Sequence, residues 1–225
     1  MSSVKTAPEH NVTPAQCAAI AAELFAGASP LMRAMQRYRP YICPFHLLLE
    51  RVPADAAVLD VGCGAGLFLG LLAATRRIRA GHGFDSSSGA ITVAQAMRRA
   101  GPPGLRFEHR AVEDAWPNET FDVVSLIDVM HHVPLPAREG LVAQMGEHVG
   151  LGGRLIYKDM VARPRWRATA NRLHDLVLAR QWVRYQPLDA VVRWCERQGL
   201  RLVERQSVDM LWYGHEWVVM ERPRS

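Results

Sequence analysis

The chain has 225 residues, 49% of them hydrophobic and 22% charged, which fits one large folded domain with a small added lid and excludes a disordered or low-complexity chain. No apolar run reaches the ~18 residues of a membrane span, and Met1-Ser2-Ser3-Val4-Lys5 has no apolar stretch of a secretory leader, so a cytoplasmic protein is expected. The formal net charge of +5 and pI near 9.3 leave open an acidic partner, peripheral contact with an anionic membrane, or nucleic acid.

Residues 1–12 are polar and read as a frayed end. Thr13-Pro14 starts an Ala-rich helix to about Phe25, with Thr as N-cap and Pro at the first helical position. Shorter helices are expected near 30–38 and 43–51. Together, residues 1–52 form an N-terminal helical lid ahead of a main domain, 53–225.

From 56 to about 160 strand and helix alternate. Strands fall at 57–61, 80–84, 105–108, 121–127 and 153–158, and helices at 66–76, 87–100 and 136–147. This alternation predicts an α/β fold with a doubly wound parallel sheet. Pro102-Pro103-Gly104 and Leu151-Gly152-Gly153 punctuate it. Residues 160–198 read as a helical insertion, broken at Pro164 and Pro187. Leu200–Glu204 and Glu216–Met220 read as a terminal pair of strands.

The first strand, Val58-Leu59-Asp60-Val61, runs into Gly62-Cys63-Gly64-Ala65-Gly66 and then into an apolar helix. Glycines there let the backbone turn sharply and approach a ligand, and the helix N-terminus attracts a carboxylate or phosphate. Asp85 ends the second strand, twenty-one residues after Gly64, at the distance of a ribose-binding acid. The spacing G-x-G-x-G, preceded by Asp60, differs from the G-x-G-x-x-G of dinucleotide sites.

This motif resembles that of the class I S-adenosylmethionine (SAM) methyltransferases, and the resemblance extends over about 56–160. It implies a Rossmann-like seven-stranded sheet, mostly parallel with the last strand antiparallel, and SAM as cofactor with S-adenosylhomocysteine as product. It implies SAM contacts from Asp60, Gly62, Cys63, Gly64, Gly66, Asp85 and Ser86, with the acid at the strand end suited to the ammonium. Phe107–Asp114 matches the adenine-contact segment. The family's Asp is replaced there by Ala111, which leaves Val112 and Glu113 as contacts, and Ile127 ends the fourth strand. Cys63 reads as filler in the turn. It and Cys17, Cys43 and Cys195 have no C-x-x-C pairing and read as reduced, buried thiols. No metal site is expected.

Ligands of open α/β sheets bind at the carboxyl ends of the strands. Asp128-Val129-Met130-His131-His132-Val133-Pro134 follows the fourth strand, and Tyr157-Lys158-Asp159-Met160 ends the fifth. Histidine is a fit base for a hydroxyl, and a carboxylate can fix its tautomer. The arrangement resembles the His-His and Asp of natural-product O-methyltransferases, which marks His131, His132 and Asp159 as candidate catalytic residues. A histidine here can instead pack against the cofactor, and only one of the two is expected to face the site.

Residues 154–205 carry eleven arginines and one lysine against five acids. They read either as a solvated helix face or as a surface for an acidic partner. No N-P-P-aromatic element or Pro-Cys nucleophile follows the fourth strand, which argues against methylation of exocyclic base amines and of C5 in pyrimidines. The core resembles ubiquinone and menaquinone methyltransferases. The run from Tyr157 through Asn171–Trp182 resembles methyltransferases of aryl-polyene pigment clusters. The expected activity is therefore methylation of a small hydrophobic substrate, phenolic or polyketide-type, in bacterial secondary metabolism, with an acidic acyl carrier protein as candidate partner. An RNA 2′-O or ring-N methyltransferase and a quinone or lipid methyltransferase are the alternatives.

Overall fold

The structure, a computed structural model, describes residues 12–161 and 185–224. The expected insertion is therefore seen only in part, and Arg163, Arg165, Arg167, Arg172 and Arg180 lie outside the described residues.

Three helices lead: α1 (Pro14–Leu24), α2 (Pro30–Ile42) and α3 (Phe45–Glu50). Thr13 caps α1 as its sequence requires, and Gln16 closes a capping box by accepting from the Thr13 N–H at 2.8 Å. The second helix runs past the expected end at 38. Pro40 falls in its last turn and does not stop it, because the Cys43 N–H still reaches the Arg39 carbonyl at 2.9 Å. Cys17, Ala21, Leu24, Phe25, Phe45, Leu48 and Leu49 join the same apolar cluster as the sheet. The lid sequence is thus packed onto the core. Arg51, from the end of α3, pairs with Glu204 at 2.9 Å, and Glu204 also accepts from the Trp217 indole, which ties these helices to the chain's last strands.

The sheet contains β1 (Ala56–Val61), β2 (Ile78–Asp85), β3 (Leu105–His109), β4 (Phe121–Ile127), β5 (Val149–Met160), β6 (Arg201–Met210) and β7 (Tyr213–Glu221), in the order β3-β2-β1-β4-β5-β7-β6. The first five run parallel. β7 lies antiparallel between β5 and β6. Helices α4 (Leu67–Ala74), α5 (Ser88–Ala100), α6 (Arg138–Glu147) and α7 (Leu188–Arg197) complete the layers.

The apolar runs are explained by burial on both faces. Val58, Val123, Ile156 and Val219 face the cluster that includes α1, α4 and α5. Their neighbours Leu59, Val124, Leu155 and Val218 face the cluster that includes α6 and α7. Alternate residues of one strand point to opposite faces, so both must be apolar.

β5 and the terminal hairpin are also longer than expected. β5 starts at Val149, four residues early, because Val149 pairs with Phe121 and a register shift then carries the strand through Gly152-Gly153. A Cβ on Gly153 would lie 3.0 Å from the Asp122 carbonyl, so only glycine lets the strands approach this closely. The terminal hairpin runs through Met210 and Tyr213 around Leu211-Trp212. Leu211 takes the left-handed conformation at φ 55°, a turn without the Gly or Asn that would announce it in sequence.

Candidate active site

The loop after β1 has the geometry that its glycines permit. Gly62, Gly64 and Gly66 have φ of 68°, 54° and 80°. A Cβ on Gly62 would lie 2.5 Å from the Val129 side chain, and one on Gly66 would lie 2.7 Å from Phe107. A Cβ on Gly64 would meet nothing within 4 Å, because Gly64 borders an open cavity. Asp85, at the end of β2, organises this rim. Its carboxylate accepts from the Gly64 N–H at 2.9 Å and from the Ser87 N–H at 2.8 Å.

The cavity has a volume of about 410 Å³, within the ordinary range for a small-molecule site. Gly62, Gly64, Asp85, Ser86, Val112, Glu113 and Ile127 line it, together with His132. Its walls also include Arg39, Arg110 and Asp128, which sequence reasoning did not single out. Arg39 is on a helix distant in sequence, and nothing in its local pattern marks it.

Three expected cofactor residues stand back from the cavity. Asp60 is buried within the sheet, and its carboxylate accepts from the Ser125 hydroxyl at 2.7 Å. Its carboxylate is turned toward Ser125 of β4 and is not in the cavity lining, although the cavity residues Arg39 and Asp85 are near enough to act on its charge. Burial raises the Asp60 carboxyl to about 7. Cys63 packs against Gly83, where a Cβ would lie 2.8 Å from the Cys63 sulfur. Gly66 starts α4 behind the rim. All four cysteines are free and buried, and burial pushes each thiol up, Cys17 to about 11 and Cys43 and Cys195 to about 12. None is set up as a nucleophile.

Ala111 supplies no carboxylate at the adenine-contact position. Asp114 instead accepts from the Ala111 N–H at 2.8 Å, and the Trp116 indole donates to the Val112 carbonyl at 3.0 Å. This turn holds Val112 and Glu113 on the cavity wall.

The adjacent histidines divide. Met130–His132 forms a single 3-10 turn, which sends the two rings to different surroundings, with centroids 4.2 Å apart. His132 is exposed and lines the cavity. His131 is buried, with Nδ1 2.6 Å from Asp159 Oδ1. Asp159 also accepts from the Met160 N–H at 2.8 Å. Its other oxygen lies 3.5 Å from the Tyr157 hydroxyl. Burial first, and Asp159 second, push the Tyr157 phenol well above its ordinary range, so it stays protonated and can donate. Tyr185 meets the His131 ring edge-on at 5.5 Å. Arg138, buried at the start of α6, donates to the Val133 carbonyl at 2.9 Å and to the Gln186 side chain at 3.1 Å, which fixes the histidine turn against the chain beyond 185.

A second buried pair adjoins the first. Lys158 Nζ lies 2.5 Å from Asp128 Oδ1, with the Lys158 side chain fully buried. Asp128 holds a left-handed backbone at φ 57°, an uncommon state for a residue with a side chain. Burial would raise its carboxyl, but the Lys158 ammonium holds it well below the ordinary range. Cys43 donates toward the other Asp128 oxygen at 3.6 Å, and Arg39 approaches it at 3.9 Å, so this carboxylate joins the leading helices to the sheet. Burial and the Lys158 charge push His215 down to about 3, so it is neutral beside the pair. Among the described residues no cluster of His, Cys, Asp and Glu could hold a metal ion.

The family model for a methyltransferase domain matches residues 34–205. Curated relatives include the ubiquinone biosynthesis O-methyltransferase of Nitrobacter winogradskyi, 27% identical over 73% of this chain and 64% of that protein. The mitochondrial one of Candida albicans is 33% identical over 39% of this chain and 29% of that protein. The chain spans less than two thirds of the length of either. Solved structures of the same fold include the N-methyltransferase NodS of Bradyrhizobium japonicum with S-adenosylhomocysteine, with TM-score 0.63, 19% identity, and 94% of this chain and 99% of that one covered. The magnesium protoporphyrin IX methyltransferase of Synechocystis with SAM also has TM-score 0.63, at 16% identity, covering 87% of this chain and 86% of that one. The glycine rim, the strand order and a family match over most of the chain agree: this chain belongs to the methyltransferase domain family, in its class I, SAM-dependent branch.

Proposed function

We propose that the chain is an O-methyltransferase that moves a methyl group from SAM to the hydroxyl of a small hydrophobic phenol. The observation that carries this reading is the buried 2.6 Å contact between His131 Nδ1 and Asp159 Oδ1 at the carboxyl end of the sheet, one residue before His132, which lines the glycine-rimmed cavity; His131 and Asp159 stand behind that lining.

The cavity fits SAM: a backbone cradle stays open at Gly64, an acid stands at the end of β2, and Val112 and Ile127 are apolar walls. Gly62, Gly64, Asp85, Ser86, Val112, Glu113 and Ile127 would hold it. When bound, SAM supplies an electrophilic methyl group. The protein's part is to orient the acceptor and take its proton. With the Nδ1 proton donated to Asp159, the basic electron pair of His131 sits on Nε2. The Asp159 carboxylate then stabilises the imidazolium that forms when a hydroxyl gives up its proton. His132 acts as a wall of the cavity. Asp128 is committed to Lys158, so it does not compete as base.

Ubiquinone-type relatives support a quinone-precursor phenol as the substrate class. An aryl-polyene phenol carried on an acidic carrier protein is the finer alternative. It rests on the resemblance of the run from Tyr157 through Asn171–Trp182, with the carrier protein inferred from the basic charge between 154 and 205; much of both lies outside the described residues. Methyl transfer from labelled SAM to a panel of phenols, catechols and amines tests the reading. Phenol or catechol products, lost in His131→Ala, are expected. Turnover confined to amines would refute it.

A further inference from the structure

The second helix is unusual in what it leaves uncovered. Only Gln36 and Pro40 of its thirteen residues are buried. Leu31 is 72% exposed, Met35 51%, Tyr38 44% and Tyr41 41%. Steps of four, three and three residues place these side chains in one stripe along the helix. An isolated exposed apolar residue is ordinary, but four large ones in one stripe are not. Arg33 and Arg37 are exposed on one flank, Arg39 stands on the other, and α2 contains no acid. Beside the stripe lies a shallow surface groove of about 580 Å³, with Arg33, Arg37, Tyr38 and Tyr41 in its lining.

We propose that this outward face of α2 is a docking surface for an anionic lipid membrane. Leu31, Met35, Tyr38 and Tyr41 enter the headgroup region, and Arg33 and Arg37 meet lipid phosphates. The chemistry favours a membrane over an acidic protein. An acidic protein answers the arginines, but it gives no reason for a continuous apolar stripe between them. A membrane interface takes both at once: a basic helix lies in the plane with its apolar face roughly 5–10 Å deep. Tyrosine, apolar in body and polar at the tip, suits the headgroup level. The surface also has a place in the proposed reaction. Arg39, on the same helix, lines the cavity and approaches Asp128. A membrane-dissolved phenol would therefore arrive beside the site. The docking itself requires no turnover and stands or falls apart from the proposed activity.

The test is flotation of the full chain with phosphatidylcholine vesicles, with and without phosphatidylglycerol. SAM affinity measured by calorimetry serves as the check that each variant is folded. Binding to the anionic vesicles should exceed binding to the neutral ones by about tenfold or more. Leu31→Ser/Tyr38→Ser and Arg33→Glu/Arg37→Glu should each lower it about tenfold with SAM affinity unchanged. Arg98→Glu/Arg99→Glu, on the exposed end of α5, should retain it. Absent or charge-independent vesicle binding would overturn the proposal. So would equal loss in the α5 variant, which would mean diffuse charge. Full binding by the Leu31→Ser/Tyr38→Ser variant would also overturn it, because the surface would then be purely electrostatic and suited to an acidic protein.

Discussion

His131 Nδ1 and Asp159 Oδ1 lie 2.6 Å apart although 28 residues separate them in the chain. The contact exists because β4 and β5 are parallel neighbours, with Ile127 beside Lys158, so the residues just beyond them emerge at the same end of the sheet. Asp159→Asn should keep the ring in place but remove the charge that stabilises a protonated His131. A fall in kcat of roughly 10²-fold with little change in SAM affinity is expected from steady-state kinetics and calorimetry.

Asp85 holds the rim by accepting from Gly64 and Ser87 and also faces the cavity. Asp85→Ala should weaken SAM binding by about 1.5–3 kcal/mol, the loss of charge-assisted hydrogen bonds. Unchanged affinity in a calorimetric titration would remove Asp85 from the cofactor site.

Lys158 and Asp128 form a buried ion pair. Lys158→Met leaves the carboxylate without its partner, and a cost of about 3–5 kcal/mol in denaturant unfolding is expected. Adding Asp128→Asn removes the stranded charge and should recover much of that loss. If the double variant is no more stable than the single one, the pair is not coupled.

Two buried groups give stability opposite dependences on pH. His215 falls from 6.5 to about 3 on folding, so its neutral form is favoured; its contribution is full above 6.5 and is lost as pH falls toward 3. Asp60 rises from 3.8 to about 7, so its contribution is full below 3.8 and is lost as pH rises through 7. Asp60→Asn should therefore flatten the decline in melting temperature between pH 4 and 7. His215→Phe should flatten the decline on the acid side. A melting profile unchanged in both variants would contradict these assignments.

The parallel core was legible in sequence because each of its strands must be apolar on both faces, and Val58-Leu59 or Val123-Val124 can serve no other purpose. The glycine rim was legible because φ near 60° at Gly62 and Gly64 excludes most other residues. The proposed dyad was partly legible: His131, His132 and Asp159 occupy strand ends where a parallel sheet gathers its chemistry. Which histidine turns inward was not, because a single 3-10 turn decides it and carries no pattern of its own. The Ser125 partner of Asp60 was not legible either, because it comes from β4, 65 residues away, through the pairing of β1 with β4. Arg39, Lys158 and His215 were missed for a different reason. Their roles come from the packing of α2, β5 and β7 against one another, and no local spacing records it.

The most direct measurement of the central claim is single-turnover methyl transfer to an accepted phenol by His131→Ala and His132→Ala, with SAM affinity measured in parallel. His131→Ala should lower the rate on the order of 10²–10⁴-fold, leave SAM affinity nearly unchanged, and remove the fall in rate at acid pH that a histidine base predicts for the unaltered chain. His132→Ala should change the rate little. A His131→Ala chain with full rate and an unaltered pH profile would contradict the account and leave positioning of the acceptor as the main source of catalysis.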